Sequence, residues 1–231
     1  MGEPFTLRVY VPSGNPEGSR IIEKMNWTGR GYYVPRDDWH KIRNRAELKA
    51  AGVYILLGSE TDNLGNDVRV AYIGQAEDVQ KRIGQHHDST SSKEFWDAAM
   101  FFISTNNGLN RAHITWLEWS LMDQAAKAKR CRLENGLTHT EPMLTESEKA
   151  DTRTFLNEML RLMPVMGVHI FEEGKVEMAA PIGAPPPFKS LAAPVRDVVI
   201  VPAQPEGFQS AFIDSNAWWA IRIGAEQRTK L

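Results

Sequence analysis

The 231-residue sequence has a single cysteine, Cys131, and this scarcity excludes two kinds of architecture. A disulfide scaffold needs paired cysteines, and a cysteine-built zinc site needs several of them. No apolar run is long enough to span a bilayer, and the opening MGEPFTLRVY lacks the basic and apolar regions of a signal peptide. We therefore expect a cytoplasmic protein with no membrane association. Basic neighbours would lower the pKa of Cys131, although a bystander thiol is the favoured interpretation.

Strong net charge is also lacking, since 27 basic and 29 acidic residues leave a formal charge of -2. With 42% hydrophobic residues, this balance excludes a wholly disordered chain. The charge is unevenly placed, with +3 over residues 1–49 and -5 over residues 50–172. Bulk charge therefore does not indicate a nucleic-acid-binding protein, and any such function must depend on local residues.

Proline and glycine divide the chain into four predicted parts. The stretch AAPIGAPPPF cannot hold a helix or a central strand and is typical of a linker, which we place at residues 173–190. Residues 1–49 form a basic, β-rich lead with strand patterns FTLRVYV and GYYV, followed by the helical pattern WHKIRNRAELKA. Residues 191–231, with VVIVP and WWAIRI, are predicted to form a small β segment or an incomplete domain.

The main domain, residues 50–172, begins with a predicted β-hairpin. Residues 53–57 and 68–73 are rich in β-branched and aromatic side chains, and the turn formers SETDNLGND separate them. Residues 77–86 then have helical features, with Val79 and Ile83 on one face. A third strand is predicted at residues 100–103.

Two longer helices complete the predicted domain. Asn110 can cap a helix that runs to about Arg130, and Thr145 with Glu148 forms a capping box before a second helix. Pro164 ends that helix, and VHIF is predicted to return as a strand. Short strands interleaved with helices indicate an α+β fold with a small antiparallel or mixed sheet.

Three groups of residues are candidates for chemistry. Glu118 lies among apolar neighbours on the first long helix; it is either a boundary glutamate, which the helix pattern alone favours, or a ligand for a hard cation. Arg82 and His86 share a helix face that suits a phosphate, or that is simply solvated. Tyr54 and Tyr72 lie on the two hairpin strands, where tyrosines are most often packing residues.

The chain order of these residues resembles the GIY-YIG nuclease superfamily over about residues 50–172. The order is a tyrosine strand, a second tyrosine strand, an Arg-x-x-x-His helix, a third strand and a glutamate helix. The matching elements are GVY from Gly52 to Tyr54, YIG from Tyr72 to Gly74, Arg82 with His86, Glu118, and Asn135 within LENG. The segments KEFWD and PVMGVHIFE are similar to an uncharacterised branch of stand-alone bacterial proteins.

The resemblance implies a metal-dependent endonuclease that hydrolyses phosphodiester bonds, most often in DNA. It implies that Glu118 holds a single Mg²⁺ or Mn²⁺ ion, and that Tyr54 or Tyr72 acts as, or relays to, the base for the attacking water. Arg82 would support the phosphate and His86 would position the water or a phenol. Asn135 is expected to play a supporting role.

Substrate contacts are predicted around this centre. Gly74 would let backbone and substrate approach closely, and Lys93, Arg43 and Arg45 are candidate phosphate contacts. The alternative is a catalytically silent nucleic-acid-binding or protein-interaction module with the same fold. In the interaction-module version, Trp218 and Trp219 would form a contact surface.

Overall fold

A seven-stranded mixed sheet is the centre of the computed structural model, which describes residues 4–88, 95–136 and 140–172. The strands are β1 (Leu7–Tyr10), β2 (Arg20–Lys24), β3 (Gly29–Pro35), β4 (Gly52–Thr61), β5 (Asp67–Ala76), β6 (Trp96–Ser104) and β7 (Arg132–Leu133). Across the sheet their order is β1-β2-β3-β6-β4-β5-β7. Strand β7 runs parallel to β5, and the other neighbouring pairs are antiparallel.

Four helices flank this sheet within the described residues. They are α1 (Trp39–Ile42), α2 (Val79–Asp88), α3 (Arg111–Ala128) and α4 (Glu146–Leu162), with short 3₁₀ turns at Arg36–Asp38, Ala46–Lys49 and Pro164–Met166. The described part of the chain is therefore α+β, as predicted.

The predicted hairpin is confirmed as β4 and β5. Its register pairs Tyr54 with Gly74 and Leu56 with Tyr72, so both tyrosines point to the same face of the sheet. The third predicted strand is also confirmed, although β6 begins four residues before the predicted run of residues 100–103 and ends one residue after it.

The lead segment differs from its prediction in how closely it joins the main domain. Strand β3 pairs with β6 along its whole length, so β1, β2 and β3 extend the same sheet. The sheet is therefore larger than the small one expected for a GIY-YIG-like domain. Residues 39–50 do not form one helix; α1 has four residues, and the 3₁₀ turn Ala46–Lys49 follows it separately.

The two faces of the sheet are covered by different helices. One face carries Val53, Ile55 and Leu57 of β4 and packs against α3 and α4. The other face carries Tyr54 and Leu56 and packs against α2, α1 and the 3₁₀ turn Ala46–Lys49. Alternate residues of one strand thus enter separate cores, which is why β4 is apolar on both sides.

Side-chain caps fix the starts of both long helices, as predicted. The Asn110 side chain accepts a hydrogen bond from the His113 amide, and the Thr145 side chain accepts one from the Glu148 amide. Helix α3 ends at Ala128, because Lys129 takes a left-handed conformation with φ of 54°. The buried side of α4 includes Phe155, Leu156 and Met159.

The predicted strand at residues 168–171 is wrong. Gly167, with φ of 82°, turns the chain back, and the Val168 amide donates a hydrogen bond to the Met163 carbonyl at 2.9 Å. Val168 and Ile170 are buried against the α3 and α4 core without joining the sheet. Their apolar pattern reflects burial rather than strand pairing.

Two parts of the sequence prediction fall outside the described residues, namely the linker at 173–190 and the β segment at 191–231. Among the described helices, none combines the length and apolarity required to cross a membrane.

Candidate functional site

The hairpin and α2 bring four of the predicted site residues into contact. Tyr54 and Tyr72 lie on the α2 face of the sheet, with ring centroids 6.2 Å apart. The His86 ring lies 5.4 Å from the Tyr54 ring and 5.8 Å from the Tyr72 ring. Val79 and Ile83 anchor α2 in the core beneath, so its neighbouring face presents Arg82 and His86 to the phenols.

The Tyr54 hydroxyl is the centre of this cluster. It lies 2.9 Å from His86 Nε2, and Arg82 Nε donates a hydrogen bond to it at 3.1 Å. The Tyr54 side chain is buried, whereas Tyr72, Arg82 and His86 are half-buried. The cluster thus has a buried centre and a partly exposed rim.

Burial also sets the protonation state of Tyr54. Desolvation raises the pKa of this phenol well above its ordinary value, and the Arg82 hydrogen bond opposes that rise only in part. Charge on Tyr72 and Glu118 would raise the pKa further. The phenol therefore stays protonated at neutral pH, and of the two predicted roles, base or relay, the raised pKa favours the relay for Tyr54.

Arg82 is held by more than one contact. Its hydrogen bond to Tyr54 is the main cause of a raised pKa, and a hydrogen bond to Tyr72 contributes as well. Its NH1 group donates to Gln85 Oε1 at 3.3 Å, one turn along α2. The guanidinium is therefore charged and fixed beside both phenols.

Gly74 allows the Tyr54 ring to lie against β5. A Cβ atom at Gly74 would lie 2.4 Å from both Cζ and Oη of Tyr54, well inside van der Waals contact. The close approach predicted at Gly74 was to substrate, whereas the close approach that the structure shows is to the Tyr54 ring.

Glu118 lies on a different helix from Arg82 and His86. It is half-buried on α3, between Ile114 and Leu121, both of which are buried in the core. Helix α3 packs on the opposite face of the sheet from α2. The Glu118 carboxylate is nevertheless near enough to Tyr54 for its charge to raise the pKa of that phenol.

Asn135 makes structural hydrogen bonds to the backbone of β5. Its Oδ1 accepts a hydrogen bond from the Ile73 amide at 2.9 Å, and its Nδ2 donates to the Ile73 carbonyl at 2.6 Å. This two-way contact fixes the segment after β7 to β5, between Tyr72 and Gly74. Asn135 thus positions the strand that carries the YIG residues, and its supporting role in catalysis stays a prediction.

The three candidate phosphate contacts have different surroundings. Arg45 forms a 2.9 Å ion pair with Glu47, so its charge is compensated inside the lead. Arg43 is exposed, and its carbonyl accepts a hydrogen bond from Gln80 of α2. Lys93 lies outside the described residues.

An open cleft of about 370 Å³ adjoins the cluster. Arg82 lines both the cleft and the phenol cluster, and the other lining residues include Gln75, Lys81, Gln85 and Arg111. None of these four was predicted from the sequence. Gln85 could have been found from its position one turn from Arg82 on the same helix.

Clusters of metal-binding side chains are absent from the part of the chain that the structure describes, where no three His, Cys, Asp or Glu residues are grouped to hold an ion. Burial raises the pKa of Cys131 from 9.0 to about 11, which contradicts the lowering expected from its basic neighbours. Cys131 is therefore an inert packing residue.

Comparisons with protein-family models, with curated proteins and with solved structures found no match for this chain. The functional interpretation therefore depends on the motif order and on the geometry of the site.

Proposed function

We propose that this protein is a metal-dependent endonuclease of the GIY-YIG type that hydrolyses phosphodiester bonds in DNA. The observation that carries the proposal is the contact of Tyr54 with both Arg82 and His86, with Tyr72 alongside. These four residues come from two strands and a helix, and ordinary packing gives no reason for two phenols, a guanidinium and an imidazole to converge. Together they supply a charged phosphate ligand and a route for a proton.

The roles of the four side chains follow from their exposure and contacts. Tyr72 is the more exposed phenol, and we assign it to holding the attacking water. A neutral Tyr54 can take up the water's proton only as it passes its own proton to His86 Nε2, 2.9 Å away. An imidazole, with an ordinary pKa of about 6.5, is the better final acceptor at neutral pH. Arg82 stabilises charge that develops on the phosphate.

Glu118 fits the single metal ligand that this assignment requires. It supplies one half-buried carboxylate near Tyr54, and Mg²⁺ is commonly held by one or two carboxylates together with waters and substrate phosphates. The bound ion would neutralise charge on the scissile phosphate and on the leaving oxygen. With one protein ligand, we expect weak metal binding until nucleic acid is present.

Cleavage of supercoiled plasmid tests the proposal. The full chain is incubated with plasmid and Mg²⁺ or Mn²⁺, and a parallel sample contains excess chelator. We expect nicked or linear product only with the metal, and no product from an identically purified Arg82→Ala variant. Product that persists with Arg82→Ala would reveal a contaminating nuclease.

A single-stranded RNA substrate in the same assay tests the substrate class. Binding of either nucleic acid without cleavage under every metal condition would instead support the silent binding module. Absence of both binding and cleavage would contradict the proposal.

A further inference from the structure

We infer that the cleft beside the phenol cluster is a subsite for the phosphates of the nucleic-acid strand that flank the cleavage point, with Lys81 and Arg111 as its ligands. This inference rests on the proposed function and identifies residues that the motif does not contain. The cleft shares Arg82 with the phenol cluster, so a strand whose scissile phosphate contacts Arg82 would continue into it.

The charges that line the cleft favour a polyanion. Three of its lining residues are cationic, namely Lys81, Arg82 and Arg111, and two are acidic, namely Glu77 and Asp78. The Asp78 carboxylate accepts a hydrogen bond from the Lys81 amide at 2.8 Å, at the start of α2, and so is engaged by the backbone. The cleft is thus positive within a domain region whose net charge is negative.

The two proposed ligands are accessible. Lys81 is exposed, and the Arg111 side chain is 75% exposed at the first residue of α3. Arg111 NH1 lies 3.8 Å from Glu77 Oε2, a long and solvated ion pair that contributes little to stability. A phosphate can therefore replace Glu77 as the partner of Arg111 at small cost.

Glutamine side chains complete the lining with groups suited to a nucleic-acid strand. Gln75 lies at the end of β5, and the amide of Gln85 contacts Arg82 NH1 through its oxygen. Amide groups of this kind contact phosphate, sugar and base edges without adding charge. The cleft therefore combines two exposed cations with neutral hydrogen-bonding groups beside the proposed reaction centre.

Salt-dependent binding tests this inference. Affinity for a short fluorescent DNA duplex is measured in chelator, so that no cleavage occurs, between about 50 and 200 mM NaCl. Each lost phosphate contact is expected to lower the slope of log affinity against log salt by about 0.9. Lys81→Ala and Arg111→Ala should each lower that slope by this amount and weaken binding by roughly 3- to 10-fold at the lower salt.

Arg8→Ala is the matched control. Arg8 is 77% exposed and lies 3.7 Å from Glu23, which reproduces the exposure and ion pair of Arg111 on a strand at the far edge of the sheet. The slope of log affinity against log salt for Arg8→Ala should equal that of the wild type. Glu77→Gln should tighten binding by about 2- to 5-fold, because it removes a competing carboxylate from the cleft.

The outcomes separate this inference from the proposed function. If the wild type cleaves DNA and the slopes of Lys81→Ala and Arg111→Ala match that of Arg8→Ala, the subsite is refuted and the nuclease assignment stands. If the wild type neither binds nor cleaves, the proposed function fails and the subsite fails with it.

Discussion

The Tyr54 hydroxyl combines full burial with two polar partners, and this combination decides what the residue can do. The side chain is 1% exposed, and its pKa is raised because a phenolate in this setting would be poorly solvated. In the proposed mechanism Tyr54 is therefore a neutral link between Arg82 and His86 rather than a phenolate base.

Tyr54→Phe should remove this link with little change elsewhere. We expect the cleavage rate to fall by about 100-fold or more, the range typical for loss of a proton-transfer group. The change in unfolding free energy should be about 1–2 kcal/mol, since one hydrogen-bonded hydroxyl is lost. Single-turnover cleavage and denaturant unfolding measure the two effects.

Tyr32→Phe is the control for Tyr54→Phe. Tyr32 is also buried on the α2 face, where it stacks on Phe101 with its hydroxyl 3.4 Å from Glu47 Oε1. It should keep the wild-type cleavage rate. Equal losses of activity in the two variants would show that the site is sensitive to packing rather than to the Tyr54 hydroxyl.

Two glycines near the site should respond in opposite ways to alanine. At Gly74 the new Cβ would overlap the Tyr54 ring, which is buried and cannot move aside. We expect Gly74→Ala to cost about 1–3 kcal/mol and to lower cleavage at least as much as Tyr54→Phe. At Gly84, inside α2, nothing lies within 4 Å of the new Cβ.

Gly84→Ala should therefore stabilise the protein by about 0.5–1 kcal/mol, through helix propensity, while cleavage is retained. Thermal melts and cleavage rates of the two variants provide the comparison. Gly74→Ala with wild-type activity would refute the close contact between Gly74 and the Tyr54 ring.

At the residue scale, the sequence was sufficient to find the members of the phenol cluster but not their protonation. Spacing on α2 put Arg82 and His86 on one face, and the hairpin register put both tyrosines together. The pKa of Tyr54 depends on how deeply Leu56, Ile83 and their neighbours bury it, and no local pattern reports that depth. Arg111 was missed because its approach to Arg82 depends on how α3 packs.

The contact between the segment after β7 and strand β5 is the main element-scale feature of the site. Strand β7 has only two residues, so backbone pairing alone holds this segment weakly. The Asn135 amide extends the pairing by two hydrogen bonds to Ile73, which lies directly between Tyr72 and Gly74.

Asn135→Ala should loosen β5 at this point. Leaving the Ile73 amide and carbonyl unsatisfied should cost about 1–3 kcal/mol, and the Ile73 amide should exchange faster with solvent. Cleavage should fall less than in Tyr54→Phe, because Asn135 acts through position. Asn63→Ala, in the exposed loop between β4 and β5, is the control; unchanged exchange at Ile73 in Asn135→Ala would contradict the account.

The elements themselves were predicted with uneven success, for identifiable reasons. The hairpin, α3 and α4 have strong periodicity and side-chain caps, so local sequence defines them. Strand β2 was missed because RIIEK is short and half polar, and it is stable only between β1 and β3. The strand predicted at residues 168–171 is wrong because these residues have the apolar content of a strand but no neighbouring strand to pair with.

At the scale of the whole molecule, buried phenols make the free energy of unfolding decrease at alkaline pH. Burial raises the pKa of Tyr32 from 10.0 to about 12, and it also raises the pKa of Tyr54 and Tyr33. Above pH 10 the unfolded chain loses these protons before the folded chain does. The folded state then binds more protons, so its stability falls as pH rises through this range.

Denaturant unfolding between pH 8 and 11.5 should show this loss, and Tyr32→Phe should reduce it. The stability that Tyr32 contributes, roughly 2 kcal/mol, is fully retained below pH 10 and is lost progressively as the pH rises from 10 towards the folded pKa of about 12, so most of the loss falls inside the measured range. An identical pH dependence in Tyr32→Phe and wild type would show that Tyr32 does not carry the effect.

The integration of residues 1–49 into the sheet is the largest difference between the predicted and observed molecule. The basic charge of the lead predicted a segment separate from the main domain. In the structure β3 pairs with β6, and the lead's residues Trp39 and Leu48 are buried against the α2 face. Charge describes the surface of a segment, whereas strand pairing depends on the other segments that it meets. The described fold is thus one sheet that combines the lead with strands from residues 50–172.

The most direct test of the nuclease assignment is the metal-dependent cleavage rate of Glu118→Gln, measured together with its melting temperature. Asp123→Asn is the control, because Asp123 is a half-buried carboxylate of the same helix that pairs with Lys127. We predict that Glu118→Gln loses cleavage while its melting temperature stays within a few degrees of the wild type, because a metal ligand is not needed for folding. A large drop in melting temperature with cleavage retained would show that Glu118 is an architectural residue and would contradict the assignment.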